Sequence, residues 1–452
     1  LAILGDFGGR PGDAESKSSG PFPVDSDNFD EVFARFGVTL DLPPNEKRPW
    51  EIKLQFRKLE DFHPEQLLLR LNSLAQLDEL RAKLGQPATM DAAAKELQEI
   101  LKIVTSPPET TLPPVTQEST EDMLARLLQR PASEPAKTSS AAGLANRLIQ
   151  QIIGPNVASA HPQQSQLVAL TEAELATRLK AVLHDSDFQA LEATWRGLDF
   201  LIRNITEEVK VSVINLSKNE LAGMLAAEDW AKSKINKQLE KIRPAVVLGI
   251  YTFEPEDHAL LANIARLAQA NRISFVAGAS PHLVGCDSFG SQPDPDDWKE
   301  DPSDELTGFE TLRRMPEAAR LGLAMPRFLL RQPYGKGSDP IEAFPFEEMS
   351  AKPGHESYLW GNPAFLCGLL MADAFAAQDA DLDLEDLGGG GEIGGLPIHK
   401  FTSEGETEVK PCAEAWLSER AAAAILRHGI MPVLSIQGRD AVQVFTLRTL
   451  GL

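Results

Sequence analysis

Residues 184–198 read His-Asp-Ser-Asp-Phe-Gln-Ala-Leu-Glu-Ala-Thr-Trp-Arg-Gly-Leu. The apolar members Phe188, Leu191, Trp195 and Leu198 step by three, four and three residues. That spacing predicts one face of an α-helix. Asp185 or Ser186 can cap its start, because a short side-chain oxygen accepts from the free N–H groups of the first turn. The apolar face continues through Phe200, Leu201 and Ile202, then runs into residues 209–216, which alternate as a half-buried strand does. The plain reading is a core helix followed by a core strand.

The elements around this pair predict a mixed α/β fold. Residues 245–251 and 273–279 are continuous apolar runs, as expected of strands buried on both faces. Between them, residues 257–271 present Leu260, Leu261, Ile264, Leu267 and Ala268 on one helical side. Strand, helix, strand at this spacing is a βαβ unit with a parallel pair. Upstream, residues 1–7 form a short apolar strand, and 51–56 alternate as another. Phe29, Val32, Phe33 and Phe36 share a helical face, with Asp25 and Asp27 near its positive end. Pro64 suits the first turn of a helix whose stripe is Leu67, Leu71, Leu74, Leu77, Leu80 and Leu84. Helices are also expected over 119–128, 144–153, 172–182, 218–224, 364–377 (with Phe365, Leu369 and Phe375 inward) and 418–428, the last ending at Gly429. Pro316 either breaks the helix over 309–320 or starts a second short one. Residues 396–401 form a short strand, and 430–436 with 441–447 form a hairpin around Gly438. Four prolines in 106–117 make a stiff, extended linker.

Charge and length narrow the function classes. A chain of 452 residues with 66 Asp and Glu against 44 Lys and Arg carries a net charge of −22 and folds as two or three domains. Such a chain repels phosphate backbones and anionic lipid, so neither nucleic acid nor membrane is an expected partner. No apolar run reaches the roughly 18 residues needed to cross a bilayer. Cys286, Cys367 and Cys412 are far apart and suit reduced thiols in a cytosol. No signal peptide is visible, although the sequence opens on Leu rather than Met.

The chemistry-bearing residues form no reactive constellation. The Gly-rich loop after the first strand contains neither GxxxxGK[ST] nor GxGxxG, so it is not read as a phosphate cradle. Asp294, Asp296 and Asp297 lack the EF-hand pattern and read as a solvated acidic loop. His63 reads as a cap or surface residue, and His399 as a structural histidine in a strand. Gly388 to Gly395 reads as a flexible loop. Arg327 and Arg331 lie between Pro326 and Pro333 in an extended segment, so they do not share a helix face. Their planar forks suit carboxylates or carbonyls, with Glu347, Glu348 or Glu356 as partners; the alternative is an anion clamp of a catalytic site. No Ser-His-Asp, Cys-His or HExxH pattern is present, so no catalytic residue, cofactor or metal ligand is nominated.

The string at 184–198 resembles the large sheath subunit of type VI secretion systems, the TssC family. Ala279-Ser-Pro, the segment 321–335, Tyr358-Leu-Trp-Gly-Asn and the strand after Gly429 carry the same resemblance. Residues 1–103 resemble the small sheath subunit, TssB, through Gly-Asp-Phe-Gly-Gly, Asp-Ser-Asp-Asn-Phe-Asp-Glu-Val and Leu-Gln-Phe-Arg-Lys-Leu-Glu-Asp-Phe-His-Pro-Glu in the same order. The implied organisation is a TssB-like domain at 1–103, a linker at 104–118, helices at 119–160 and a TssC-like domain at 161–452, forming two interlocked lobes. In the family, a short helix at the start of the large subunit is the handle for an AAA+ unfoldase (ClpV). Leu124, Leu127 and Leu128 take that place here, the alternative being an ordinary docking helix. The family's large subunit continues past the hairpin into strands exchanged between neighbours, whereas this sequence stops at Leu452. The resemblance implies a bacterial, cytoplasmic structural protein that associates with itself and with inner tube or baseplate proteins. The variant is a non-polymerising accessory subunit. The rival class is an enzyme or small-ligand binder on an α/β fold.

Overall fold

The computed structural model describes residues 1–9, 20–45, 48–86, 88–104, 160–299, 304–350, 354–378, 390–403 and 405–451. The chain divides into two compact units, Leu1–Leu71 with Leu179–Leu452, and Asn72–Arg178. Most of the linker and the helices expected at 119–128 and 144–153, with Leu124, Leu127 and Leu128, lie outside the described residues.

The expected mixed α/β architecture holds. In the larger unit nine strands form one sheet, numbered here in chain order. Across the sheet they run β11 (Gly391–Ile393), β15 (Val442–Val444), β14 (Met431–Ser435), β8 (Leu321–Met325), β7 (Ser274–Ala279), β6 (Val246–Phe253), β1 (Ala2–Gly5), β5 (Val211–Asn215) and β2 (Phe22–Val24). The six from β14 to β5 are parallel, and β2, β15 and β11 run antiparallel to their neighbours. Parallel strands are covered on both faces and therefore read as apolar runs; β1 and β7 are buried at every residue. Three small sheets pair β3 (Thr39–Leu42) with β4 (Ile52–Gln55), β9 (Phe328–Leu329) with β10 (Trp360–Gly361), and β12 (His399–Ser403) with β13 (Glu406–Lys410).

The βαβ unit is β6, the helix His258–Asn271 and β7, and Leu261, Ile264, Leu267 and Ala268 are buried. The register of β6 against β7 shifts between Gly249 and Thr252. There Asn362 Nδ2 donates to Tyr251 O at 2.9 Å while its Oδ1 caps the helix Ala364–Gln378 at Ala364 N, 3.0 Å away. That helix packs on β6, β7, β8 and the helix Ser186–Asn204. The closest approach is at Gly197, where an added Cβ would lie 2.1 Å from Phe365 Cε2.

Several expectations are corrected, and two open alternatives, at His63 and Pro316, are resolved. The leucine stripe is not one helix. Leu71, at φ −90° and ψ 110°, ends Pro64–Arg70, and a second helix, Asn72–Leu84, follows. His63 is the cap of the first, accepting from Glu65 N at 3.3 Å. Phe375 is not inward but 43 % exposed. Gly391–Ile393 is an edge strand, where a Cβ on Gly390 would lie 1.7 Å from Val444 O, so the glycine serves close backbone approach. Pro316 starts a short 3₁₀ helix, Pro316–Arg320.

The smaller unit contains the helices Asn72–Leu84 and Met90–Val104 and most of Ala160–Leu183, which begins earlier than expected. Leu74, Leu77, Leu80, Leu97, Leu101, Leu167 and Leu175 are buried within it. Gln164 Nε2 donates to Leu84 O at 2.9 Å, and Arg81 pairs with Glu172 at 3.6 Å. Among the described residues no helix is long and apolar enough to cross a membrane.

Candidate functional site: the joint between the two sequence parts

The first strand of the chain does not belong to a sheet of its own. β1 lies between β5 and β6, with Ile3 opposite Val213 on one side and Leu248 on the other. Both of its edges are hydrogen-bonded, so its backbone polar groups are satisfied only in the presence of residues more than 200 positions away. β2 adds to the far edge of β5. β1 and β2 thus complete a sheet whose other strands lie between residues 211 and 444.

The helix Ser186–Asn204 forms the side-chain half of the joint. Asp185 caps it, accepting from Asp187 N at 3.2 Å, and Phe188, Leu191, Trp195 and Leu198 are all buried as the spacing predicts. Trp195 Nε1 donates to Phe7 O at 3.0 Å. Its ring meets Phe33 at 4.1 Å, Phe7 at 5.1 Å, Phe36 at 5.5 Å and Phe29 at 5.9 Å. Phe188 meets Phe56 and Phe62, which stack on each other at 4.2 Å. Each aromatic pair contributes about 0.5–1.5 kcal/mol beyond burial. Gly9, at φ +66°, passes this cluster so closely that a Cβ would lie 2.8 Å from Leu191 Cδ2 and 2.6 Å from Thr39 O. The glycines after β1 therefore answer to packing. Arg48, fully buried, donates to the carbonyls of Leu42, Pro43 and Trp50 and lies 3.5 Å from Asp185, the cap of the helix.

Two arginine centres hold the extended segment after β8. Arg331 makes a two-point pair with Glu348 at 2.7 and 3.1 Å, donates to Glu192 at 3.0 Å and lies 4.2 Å above the Tyr334 ring. Arg196 bonds Glu192 at 2.7 Å and the Tyr334 hydroxyl at 3.2 Å. The Tyr334 ring also meets His63 near-perpendicularly at 5.1 Å, and Glu342 N donates to Glu65 at 2.7 Å, so this centre also ties the two parts together. Burial pushes the Glu348 carboxyl up, and Arg331, His184 and the Tyr334 backbone N–H together bring it down to about 2. Arg327 donates to Glu414 through N and Nε at 3.1 and 3.0 Å, and its Nη2 bridges Glu414 and Glu356. Burial likewise pushes Glu414 up, and the His355 hydrogen bond and Arg327 bring it to about 2.

Of the three partners expected for the arginines, Glu348 and Glu356 are engaged. Glu347 is not; it accepts from Lys336 N at 3.0 Å. Glu192 and Glu414 were missed. Glu192 had a signal: it lies four residues after Phe188, inside the apolar stripe, where a carboxylate must find a cation. Glu414 had none. His399 Nδ1 lies 2.8 Å from the Tyr358 hydroxyl, and Asp294 and Asp296 pair with Arg420. The three cysteines are free and buried.

His355, Glu356 and Glu414 each bring one ligand atom to within 4.8 Å of the others, as a divalent cation requires. Arg327 already bridges the two carboxylates and Lys410 Nζ lies 3.0 Å from His355 Nδ1, so two cations hold that ground and a third does not fit. A cleft of 270 Å³ beside them is lined by Gln189, Thr194, Thr252, Glu356, Tyr358 and Asn362.

A buried aromatic and ionic seam thus joins the two sequence parts through one sheet of a mixed α/β fold. Residues 165–450 match the family described as EvpB/VC_A0108, tail sheath N-terminal domain (VipB). Residues 1–111 match the family described as type VI secretion system, VipA, VC_A0107 or Hcp2. The chain belongs to the type VI secretion tail-sheath family and carries a small-subunit (TssB-like) and a large-subunit (TssC-like) part in one polypeptide. Over 291 residues it is 32% identical to the type VI secretion system sheath protein TssC1 of Pseudomonas aeruginosa; the match covers 61% of this chain and 58% of that protein.

Proposed function

We propose that this chain is a fused sheath protomer whose work is mechanical. It associates with copies of itself and contacts inner tube or baseplate proteins in the bacterial cytoplasm, and its clefts carry out no reaction. The observation that supports this most is β1 seated between β5 and β6, which places the small-subunit strand inside the large-subunit sheet. In this reading residues 1–103 and 161–452 are the two sheath parts, 104–118 is the tether, and the helix bearing Leu124, Leu127 and Leu128 is the grip for an AAA+ unfoldase. Arg327 and Arg331 act inside the protomer, fixing the segment after β8.

Negative-stain microscopy of the purified chain over a range of concentrations and salt tests this. Tubes, rings or stacked arcs are expected. Single particles under every condition sink self-association and leave an accessory subunit. A thermal-shift screen with nucleotides and divalent metals is expected to show no stabilisation, and a clear rise would favour the ligand-binding class.

A further inference from the structure

The hairpin β12–β13 stands outside the nine-stranded sheet and pairs only with itself among the described residues. An isolated two-stranded hairpin is marginally stable in water, so its order depends on what it leans against. Its base is tied by Leu329 N to Cys412 O at 2.7 Å and Leu396 N to Asp440 O at 2.9 Å. Its arm meets the body at His355, Tyr358 and Trp360, with Lys410 also 5.6 Å from the Tyr358 ring centroid. His399 Nδ1 lies 2.8 Å from the Tyr358 hydroxyl, and Lys410 Nζ lies 3.0 Å from His355 Nδ1, with the ammonium 5.3 Å from the Trp360 ring centroid.

These contacts respond differently to a proton. A phenol both donates and accepts, so the Tyr358–His399 bond survives in either state of the imidazole. An ammonium has donors and no acceptor. With Lys410 charged, His355 Nδ1 must accept, and the ring hydrogen sits on Nε2, facing Glu414 Oε1 at 2.9 Å. With Lys410 neutral the roles reverse, yet the gap still holds one hydrogen. A second proton sets two donors face to face. It also unbalances the cluster, in which Arg327 and Lys410 match Glu356 and Glu414. The remaining surroundings are the Trp360 ring, 5.3 Å from His355, and groups that are neutral or exposed to solvent. Gln189 from the Trp195 helix donates to Glu356 O at 3.2 Å. The loop packed on the ring through Gly290 brings the neutral Cys286 thiol, pushed up to about 12 by burial, and the exposed Asp287.

We propose that the His355–Lys410 contact is a proton-operated latch: uptake of one proton by the pair releases the β12–β13 arm from the body. The arm is docked at mildly alkaline pH and undocks on acidification, once the pair holds two protons in place of one.

Hydrogen exchange of the full chain, read by mass spectrometry at about pH 8 and about pH 5 and corrected for intrinsic rates, tests the latch. Peptides spanning 397–411 are expected to exchange about tenfold faster at the lower pH, while those of β7 and β8 keep their protection. His355→Gln mimics the neutral ring, with an oxygen for Lys410 and an amide for Glu414, and is expected to keep the arm protected at both pH values. Lys410→Met, which removes the latch without adding a charge, is expected to leave the arm unprotected at both. Equal protection of the wild-type arm at the two pH values overturns the proposal. So does a pH response that persists in either variant, or opening that spreads to β7 and β8.

Discussion

At the scale of single residues, the buried charges stand out. Glu348 and Glu414 are almost fully buried, and each is kept ionised by an arginine held in two-point or bridging geometry. Their carboxyls lie at about 2 in the folded protein, below the 4.5 of a free glutamate. A group whose folded value is depressed contributes stability above its unfolded value and loses it as pH falls toward the folded one. Acid unfolding is therefore expected to steepen between pH 4.5 and about 2. Replacing Glu348 by Gln should flatten that part of the stability-against-pH curve and lower stability at neutral pH by roughly 3–5 kcal/mol, since Arg331 loses its two-point partner. Denaturant melts at stepped pH check this; an unchanged slope in the variant would show that Glu348 carries none of the acid response.

At the scale of elements, the contact between Ser186–Asn204 and Ala364–Gln378 is governed by one missing side chain. Gly197 faces the Phe365 ring with no room for a methyl group. Alanine raises helix propensity by about 1 kcal/mol, yet here the clash must win, because Phe365 is itself fully buried. Gly197→Ala is expected to lower the melting temperature; a rise would mean that the helices slide apart freely. Much at this scale was legible in the sequence. The Phe188, Leu191, Trp195, Leu198 stripe, the βαβ unit and the closing hairpin follow from periods of 3.6 and 2, which local sequence records directly. What was illegible is non-local. Leu71 gives no break signal, being a leucine in a leucine stripe. Gly391 reads as a loop until Val444 lies beside it. Glu414 gains its meaning from His355 and Arg327, 59 and 87 positions away.

At the scale of the whole molecule, the shared sheet joins residues 1–71 and 179–452 in one compact unit. Separating them would strip β1 of hydrogen bonds on both edges and bare the Trp195 cluster. A protease site introduced between residues 105 and 118, outside the described residues, should therefore yield two fragments that co-elute in native buffer and part only in denaturant. Elution as two species in native buffer would mean that the seam contributes too little to hold without the tether.

The placement of β1 also sets a timetable. Leu1 finds its partner Lys210 across 209 positions of sequence. At a ribosomal pace of 5–20 residues per second, roughly 10–40 s pass before that partner is made. Two separate polypeptides would spend the interval searching for each other by diffusion and would depend on balanced gene expression. Carried on one message, the early strand is leashed to its future neighbours at a local concentration on the order of millimolar, and halves are always made in equal number.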